Sequence, residues 1–329
     1  MEEKIEKELK WAVLGTGIIA NEMAQALEKM GKKLYAVANR THGKAVEFAE
    51  KYGVQKVYDK IEDMFTDKET DIIYVTTPHN THIKFMIEAL KNGKHVLCEK
   101  SITLNSEELE EAVKIAKEKN LILGEAMTIF NMPLYTELSE IVNSGKLGDV
   151  KMIQVNFGSY KEYDMNNRFF NRNLAGGALL DIGVYAISIT RLFMTSKPDN
   201  VLSQVKYAPT GVDEQVGIIM MNKEQQMSTI ALTLHSKQPK RVVIACEKAY
   251  IEITEYPRAD KAKIVHTETG EVEEITAGMT SNALQYELQN MEESVKTGIN
   301  KMKLEYTIDV MDIMTKLRKK WGMTYPEEE

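Results

Sequence analysis

Only two cysteines, Cys98 and Cys246, stand in 329 residues. That is too few for a disulfide scaffold, leaves room for one bridge at most, and fits a reducing compartment. No stretch approaches the roughly 18 apolar residues of a membrane span. The first ten residues, MEEKIEKELK, are charged and lack an apolar core, so they do not read as a secretory signal. Basic excess is missing too. Lys and Arg number 42 against 49 Asp and Glu, a net charge of −7, which gives no overall pull toward nucleic acid or an anionic membrane. There are no internal repeats and no low-complexity segments. His79 and His82 are isolated, and no His, Cys, Asp or Glu cluster has zinc-like spacing, so no metal is assigned. What is present is ordinary for a globular chain: 43% hydrophobic and 28% charged residues. The expectation is a cytoplasmic protein of two domains.

Up to about residue 125, short apolar runs alternate with helical patterns. The runs are Trp11 to Leu14, Leu34 to Ala38, Ile72 to Thr76, Val96 to Cys98 and Leu121 to Leu123. Between them lie stripes such as Ile83, Met86, Ile87 and Leu90, closed by Gly93, and a helix over Leu109, Val113 and Ala116 capped by Asn105 or Ser106. Continuous apolar runs joined by amphipathic helices predict a doubly wound parallel sheet, an α/β Rossmann domain over 1–125. The remainder, 126–329, reads as an α+β domain. Helices are expected at Pro133 to Val142, Leu179 to Met194, 282–297 and 305–320. Strands are expected at Met152 to Phe157 and, consecutively, between 216 and 275, with a hairpin link at Asn222 to Gln226. Strands without intervening helices imply a largely antiparallel, open sheet.

Gly15-Thr16-Gly17-Ile18-Ile19-Ala20 matches GxGxxA between a strand and a helix. The first Gly permits the tight turn, the second lets a pyrophosphate approach the backbone, and Ala20 allows close helix–strand packing; the helix N-terminus offers its free N–H groups. At the end of the second run, where an acid would accept from the 2′-hydroxyl of NAD, the chain has Asn39-Arg40-Thr41. A carboxylate would repel a 2′-phosphate, whereas Arg40 can pair with one. NADP is the expected cofactor, with NAD as the alternative.

Three further segments follow: Thr77-Pro78-His79-Asn80-Thr81-His82, Glu99-Lys100-Ser101, and Gly176-Gly177-Ala178-Leu179-Leu180-Asp181-Ile182-Gly183-Val184-Tyr185. Together with GTGIIA, in this order, they resemble the Gfo/Idh/MocA family of oxidoreductases, from about Lys10 to Trp321. Tyr185 points to the branch with glucose–fructose oxidoreductase, dimeric dihydrodiol dehydrogenase and 1,5-anhydrofructose reductase. The resemblance implies that Thr77, Pro78, Asn80 and His82 lie along the cofactor and that Glu99 contacts its nicotinamide side. It implies that Lys100 lies beside the reacting carbon and that Tyr185 moves the proton at the substrate oxygen, supported by Asp181. A free phenol has a pKa of about 10, so work near neutral pH calls on Lys100 to favour the phenolate. Without the resemblance, Lys100 reads equally as a snorkelling surface lysine, Tyr185 as a packed ring, Asp181 as a helix N-terminal charge and Asn80 as an N-cap.

Two departures stand out. Ser101 replaces the Pro of a common Glu-Lys-Pro, loosening that backbone. Phe130 and Met132 stand where Arg and His are common, which predicts a less polar pocket wall. Arg168, in the loop Asn166 to Asn173, is placed to reach a substrate or to stay on the surface. The implied activity is hydride transfer between nicotinamide and a sugar, a sugar-derived ketone or alcohol, or a dihydrodiol. The alternatives are a non-catalytic dinucleotide-binding regulator of the same fold and a reductase of an amine or pyrrole compound. Relatives pair through the open sheet face, so a homodimer or homotetramer is expected.

Overall fold

In the computed structural model, residues 8–329 are described; the charged segment 1–7 lies outside them. The first sheet has the parallel order β3-β2-β1-β4-β5-β6, formed by β1 (Trp11–Leu14), β2 (Ala36–Ala38), β3 (Lys56–Val57), β4 (Ile72–Val75), β5 (His95–Glu99) and β6 (Leu123–Ala126). The central strands β1 and β4 are buried at every position, as a sheet covered on both faces requires. Helices α1 (Ile18–Lys29), α2 (His42–Tyr52), α3 (Ile61–Thr66), α4 (His82–Lys91) and α5 (Ser106–Glu118) make the crossovers. Their ends follow local chemistry. Gly53 closes α2 at φ 62°, and the Asn105 side chain accepts from Glu108 N at 2.9 Å to cap α5.

Two short helices, α6 (Thr128–Asn131) and α7 (Pro133–Asn143), lead into β7 (Val150–Gly158). A wide helical turn over Leu179–Gly183 opens α8 (Val184–Phe193). The second sheet has the order β14-β13-β12-β11-β7-β10-β9-β8. It contains β8 (Asn200–Tyr207), β9 (Asp213–Met221), β10 (Met227–Thr233), β11 (Gln238–Cys246), β12 (Ala249–Thr254), β13 (Lys261–His266) and β14 (Val272–Thr276). Its pairings are antiparallel except β7 with β10, which run parallel. Helices α9 (Ala283–Thr297) and α10 (Leu304–Trp321) return to the first sheet. There Leu288, Met291 and Met302 share a core with Trp11 and Tyr74, and the Trp11 indole N–H donates to Glu292 at 3.0 Å.

Both sheets match the expected fold class, but several elements differ from the pattern read in the sequence. β6 starts at Leu123 and includes Gly124, where Met302 lies so close that an added Cβ would sit 2.6 Å from its Cγ. Packing, not an apolar run, makes that strand. The apolar stretch Leu179 to Met194 is not one regular α-helix, since its first five residues form the wide turn. The longer helical stretch Arg172–Phe193 has a window apolar enough for a membrane span, but 78% of it is buried inside the protein.

Candidate functional site

The site is built at the carboxyl ends of the parallel strands. β1 leads into the Gly15 turn and β5 into Lys100, with β4 between them. Two strand spacings separate them, about 10 Å. Ligands bind along this edge in open α/β sheets.

The Gly15 turn has room for a phosphate group. Gly15 has φ 108°, and a Cβ there would lie 2.6 Å from Thr76 Oγ1, so only glycine fits. At Gly17 an added Cβ would meet nothing within 4 Å, which leaves open space over the start of α1. That N-terminus has no side-chain cap and no acidic residue in its first turn. Its N–H groups and dipole therefore face outward, as an anion requires. Ala20 is fully buried, Ile19 packs on the core, and Ile18 is 83% exposed beside the open turn. Thr16 is fixed by Asn39, whose side-chain amide donates to Thr16 Oγ1 at 2.8 Å while its Oδ1 accepts from Thr41 N at 2.9 Å. Arg40 projects into solvent from the tip of β2.

Lys100 is the centre of the second half of the site. Its ammonium donates to the Asp181 carbonyl at 2.7 Å and to Asp181 Oδ1 at 3.2 Å, and lies 4.9 Å from the Tyr185 ring centroid. An ammonium has three protons, so one stays available. Burial works to lower the Lys100 pKa, but Asp181 overrides it and holds the group above its usual range. Burial works to raise Asp181, but Lys100 and Arg168 hold its carboxyl below the usual carboxylate range. The pair is therefore ionic at neutral pH. Tyr185 is pushed up to about 12, mainly by burial, with Lys100 opposing. The expectation that Lys100 would bring the phenol toward neutral pH is thus met in direction only: the phenol is protonated. Its hydroxyl makes no hydrogen bond among the described residues, while its ring packs 6.2 Å from that of Phe157.

The surrounding loops are tied to this centre. Ser101 is buried and donates to Leu180 O at 2.9 Å, so the segment that lacks the common Pro is anchored to the wide turn; the Lys100–Ser101 peptide is cis. Ile102 N donates to Glu125 Oε1 at 3.1 Å and Thr307 to Glu125 Oε2 at 3.0 Å, and burial pushes that carboxyl up to about 7. Gly176 lets the 168–169 loop approach, since a Cβ there would lie 2.8 Å from the Arg168 carbonyl oxygen. Gly177, at φ 124°, faces Asp213, whose carboxylate accepts from Leu179 N at 2.6 Å and anchors the turn that carries Asp181. Arg168 Nη2 then reaches to 3.7 Å from Asp181 Oδ1.

Other expected residues are placed differently. His82 is fully buried with both ring nitrogens engaged, Nδ1 with Ser101 O at 3.0 Å and Nε2 with Thr77 O at 2.7 Å. It ties two loops together and has no surface left for a cofactor. His79, by contrast, touches the Lys100 carbonyl through Nε2 at 3.0 Å, and burial lowers its pKa to about 3. Pro78 is exposed, and its carbonyl accepts from Thr81 N at 2.9 Å. Asn80 does not cap a helix: it donates to Asn173 O at 3.3 Å and also bonds Glu327 near the chain's end. Glu99 bonds the buried Tyr74 hydroxyl, and burial raises its pKa. Phe130 and Met132 are 3% and 1% exposed, packed in the core with Phe130 against Tyr306, so they do not form the expected pocket wall. Sequence reasoning passed over Lys161, Glu125 and Asp213 as site residues. Only Glu125 carried a signal, a carboxylate in a buried strand.

Residues 9–127 match the family model described as the oxidoreductase family, NAD-binding Rossmann fold (GFO_IDH_MocA), and residues 135–252 match the GFO/IDH/MocA C-terminal domain. The trans-1,2-dihydrobenzene-1,2-diol dehydrogenase of Xenopus laevis is 30% identical, covering 96% of this chain and 99% of its own. The enzyme of that name from Homo sapiens is 26% identical over 98% of this chain and 99% of its own. KijD10, a 3-ketoreductase from Actinomadura kijaniata solved with NADP and TDP-benzene, superposes with a TM-score of 0.85 at 19% identity, covering 95% of this chain and 98% of its own. Levoglucosan dehydrogenase, solved with NADH and levoglucosan, gives 0.82 at 16% identity, covering 94% and 98%. At those identities the two structures speak for the fold.

Proposed function

Because this chain belongs to the GFO/IDH/MocA family of oxidoreductases, with its NAD-binding Rossmann fold, we propose that it is an NADP-preferring dehydrogenase or reductase in which Tyr185 and Lys100 serve the reacting oxygen. The substrate class is a sugar, a sugar-derived ketone or alcohol, or a trans-dihydrodiol. The observation that carries the reading is the meeting of Lys100, Asp181 and Tyr185 at the strand edge that also carries the open Gly15 turn.

Nicotinamide, when bound, supplies or accepts the hydride. The chain's own residues do the rest. The Gly15 turn and the start of α1 hold the pyrophosphate, and Arg40 answers a 2′-phosphate. In reduction, the Tyr185 hydroxyl gives its proton to the carbonyl oxygen, and the free N–H of Lys100 binds the same oxygen and stabilises its developing charge. Asp181 keeps Lys100 protonated and aimed. In oxidation the proton returns to Tyr185. A phenol held at about 12 keeps its proton at neutral pH, so it stands in the form that reduction uses.

The outer face of the second sheet supports self-association. The register aligns Met221, Met227, Met152, Ala245 and Tyr250 across five strands, with Leu202 opposite Ile219 beside them. Leu202, Ile219, Met152 and Tyr250 are all exposed. A second copy laid on this face gives a homodimer or homotetramer. A monomer in sedimentation equilibrium would remove that part. The activity is tested by fluorescence titration with NADPH and NADH, then by following 340 nm absorbance against sugars, ketones and dihydrodiols. Binding of NADPH with turnover of one of these supports the reading; absence of dinucleotide binding overturns it.

A further inference from the structure

The loop between β7 and the wide turn brings two cations onto one ring. Lys161 Nζ lies 4.1 Å and Arg168 Cζ 4.5 Å from the Phe169 centroid. The loop is fixed where it carries them. Lys161 N donates to Leu234 O at 2.8 Å, its carbonyl contacts His235 Nδ1 at 3.2 Å, and Phe169 N donates to Asn167 Oδ1 at 2.7 Å. The neighbouring charges do not balance. Asp181 already receives Lys100 at 3.2 Å and has Arg168 at 3.7 Å. Lys240 is paired with Glu255 at 2.9 Å. Lys161 has no ion pair among the described residues. Burial is the main cause that pulls its pKa down; Asp181 opposes the fall, and Arg168, Lys100 and Lys240 add to it. Lys161, Arg168, Lys100 and Lys240 thus share one field in which Asp181 is the carboxylate acting on Lys161, with Glu99 acting on Lys100.

Lys161 is half-buried and Arg168 is largely exposed, and two like charges held on one ring repel unless an anion answers them. A neutral diol or unmodified sugar gains nothing from this arrangement. A phosphate or carboxylate gains from both partners, the guanidinium fork of Arg168 and the point charge of Lys161. We propose that the substrate carries an anionic oxygen group, phosphate or carboxylate, at a distance from its reacting carbon, and that Lys161 and Arg168 bind this group over Phe169. The proposal rests on the oxidoreductase reading, whose substrate class it narrows.

The test uses the full-length protein saturated with NADP⁺, so that the cofactor's own phosphate sites are filled. Inorganic phosphate and acetate are titrated calorimetrically into wild type, Lys161→Gln and Arg168→Gln. The same proteins are then assayed with glucose, glucose 6-phosphate and glucuronate at 340 nm. Expected are saturable binding of one anion, loss of about tenfold or more in its affinity in each variant, and unchanged NADP⁺ affinity. Tighter phosphate binding identifies a phosphate ester, and tighter acetate binding a carboxylate. Anion affinity equal in wild type and both variants, or no anion binding, overturns the proposal. So does turnover of the neutral compound at a kcat/KM equal to that of its charged counterparts. If NADP⁺ does not bind, the cofactor reading fails, and the anion titration on the cofactor-free protein still decides for or against Lys161 and Arg168.

Discussion

Replacing Tyr185 by Phe removes one oxygen from the site and disturbs little else. The hydroxyl makes no hydrogen bond among the described residues, so no buried partner is orphaned. The ring keeps its place beside Phe157, at 6.2 Å, and Lys100, at 4.9 Å. Folding stability should therefore change by less than about 1 kcal/mol. Activity should not survive so well. A positioned general acid contributes about 10²–10⁴ in rate, which corresponds to a barrier increase of roughly 3–5 kcal/mol. The measurement is kcat and kcat/KM at 340 nm with NADPH and a carbonyl substrate, beside a denaturant melt and a cofactor titration on the same samples. The expected result is a fall in kcat of at least about 100-fold with unchanged stability and NADPH affinity. A kcat within about threefold of wild type would refute the assignment of proton transfer to Tyr185. The pH profile adds a second readout. A phenol near 12 keeps its proton through neutral pH, so reduction should stay flat into the alkaline range while oxidation rises with pH.

Asp181→Asn removes the carboxylate that holds Lys100 at 3.2 Å and strands a nearly buried ammonium, a loss of about 3 kcal/mol in denaturant unfolding together with reduced kcat. Glu125 is raised from its ordinary 4.5 to about 7 by burial, so the native state binds its proton more tightly than the unfolded chain does. Its contribution is fully present below about 4.5 and is lost as pH rises through 7. Glu125→Gln keeps Ile102 N on its amide oxygen and donates its amide to the Thr307 hydroxyl, so it should match wild type near pH 4 and exceed it at pH 9 by on the order of 3 kcal/mol in urea melts. Gly17→Ala places a methyl in open space, so it should cost folding under about 1 kcal/mol while weakening NADPH by at least about tenfold in a fluorescence titration. Arg40→Ala should weaken NADPH by about 10- to 100-fold and leave NADH unchanged.

The parallel half of the fold is legible because its central strands are buried on both faces and read as apolar runs. Trp11–Leu14 and Ile72–Val75 are buried at every position. Elements without such a pattern were silent. β8 is an edge strand that alternates exposed and half-buried positions, but Leu202 on its exposed side and Ser203 on its half-buried side blur the apolar alternation. α6 is four buried residues with no polar face to mark a period. The parallel pairing of β7 with β10 depends on which strands meet in space, and periodicity within one strand carries no such information. The same division holds at the site. Gly15, Lys100 and Tyr185 sit in compact motifs. Lys161 lies in a polar loop, and its place beside Asp181 depends on contacts with Leu234 and His235, more than 70 positions away. His82 was read with its neighbours in a loop motif, but whether a ring nitrogen faces a ligand or two carbonyls is a matter of packing alone.

The most direct test of the central claim is a crystal structure of the protein with NADP⁺ bound. The account predicts the pyrophosphate on the backbone of Gly15 to Ile18. It predicts the nicotinamide C4 facing the space between Lys100 Nζ and the Tyr185 hydroxyl, close enough that a substrate carbon there lies within about 3.5 Å of C4. A nicotinamide bound away from Lys100 and Tyr185, or no cofactor along the Gly15 edge, would contradict it.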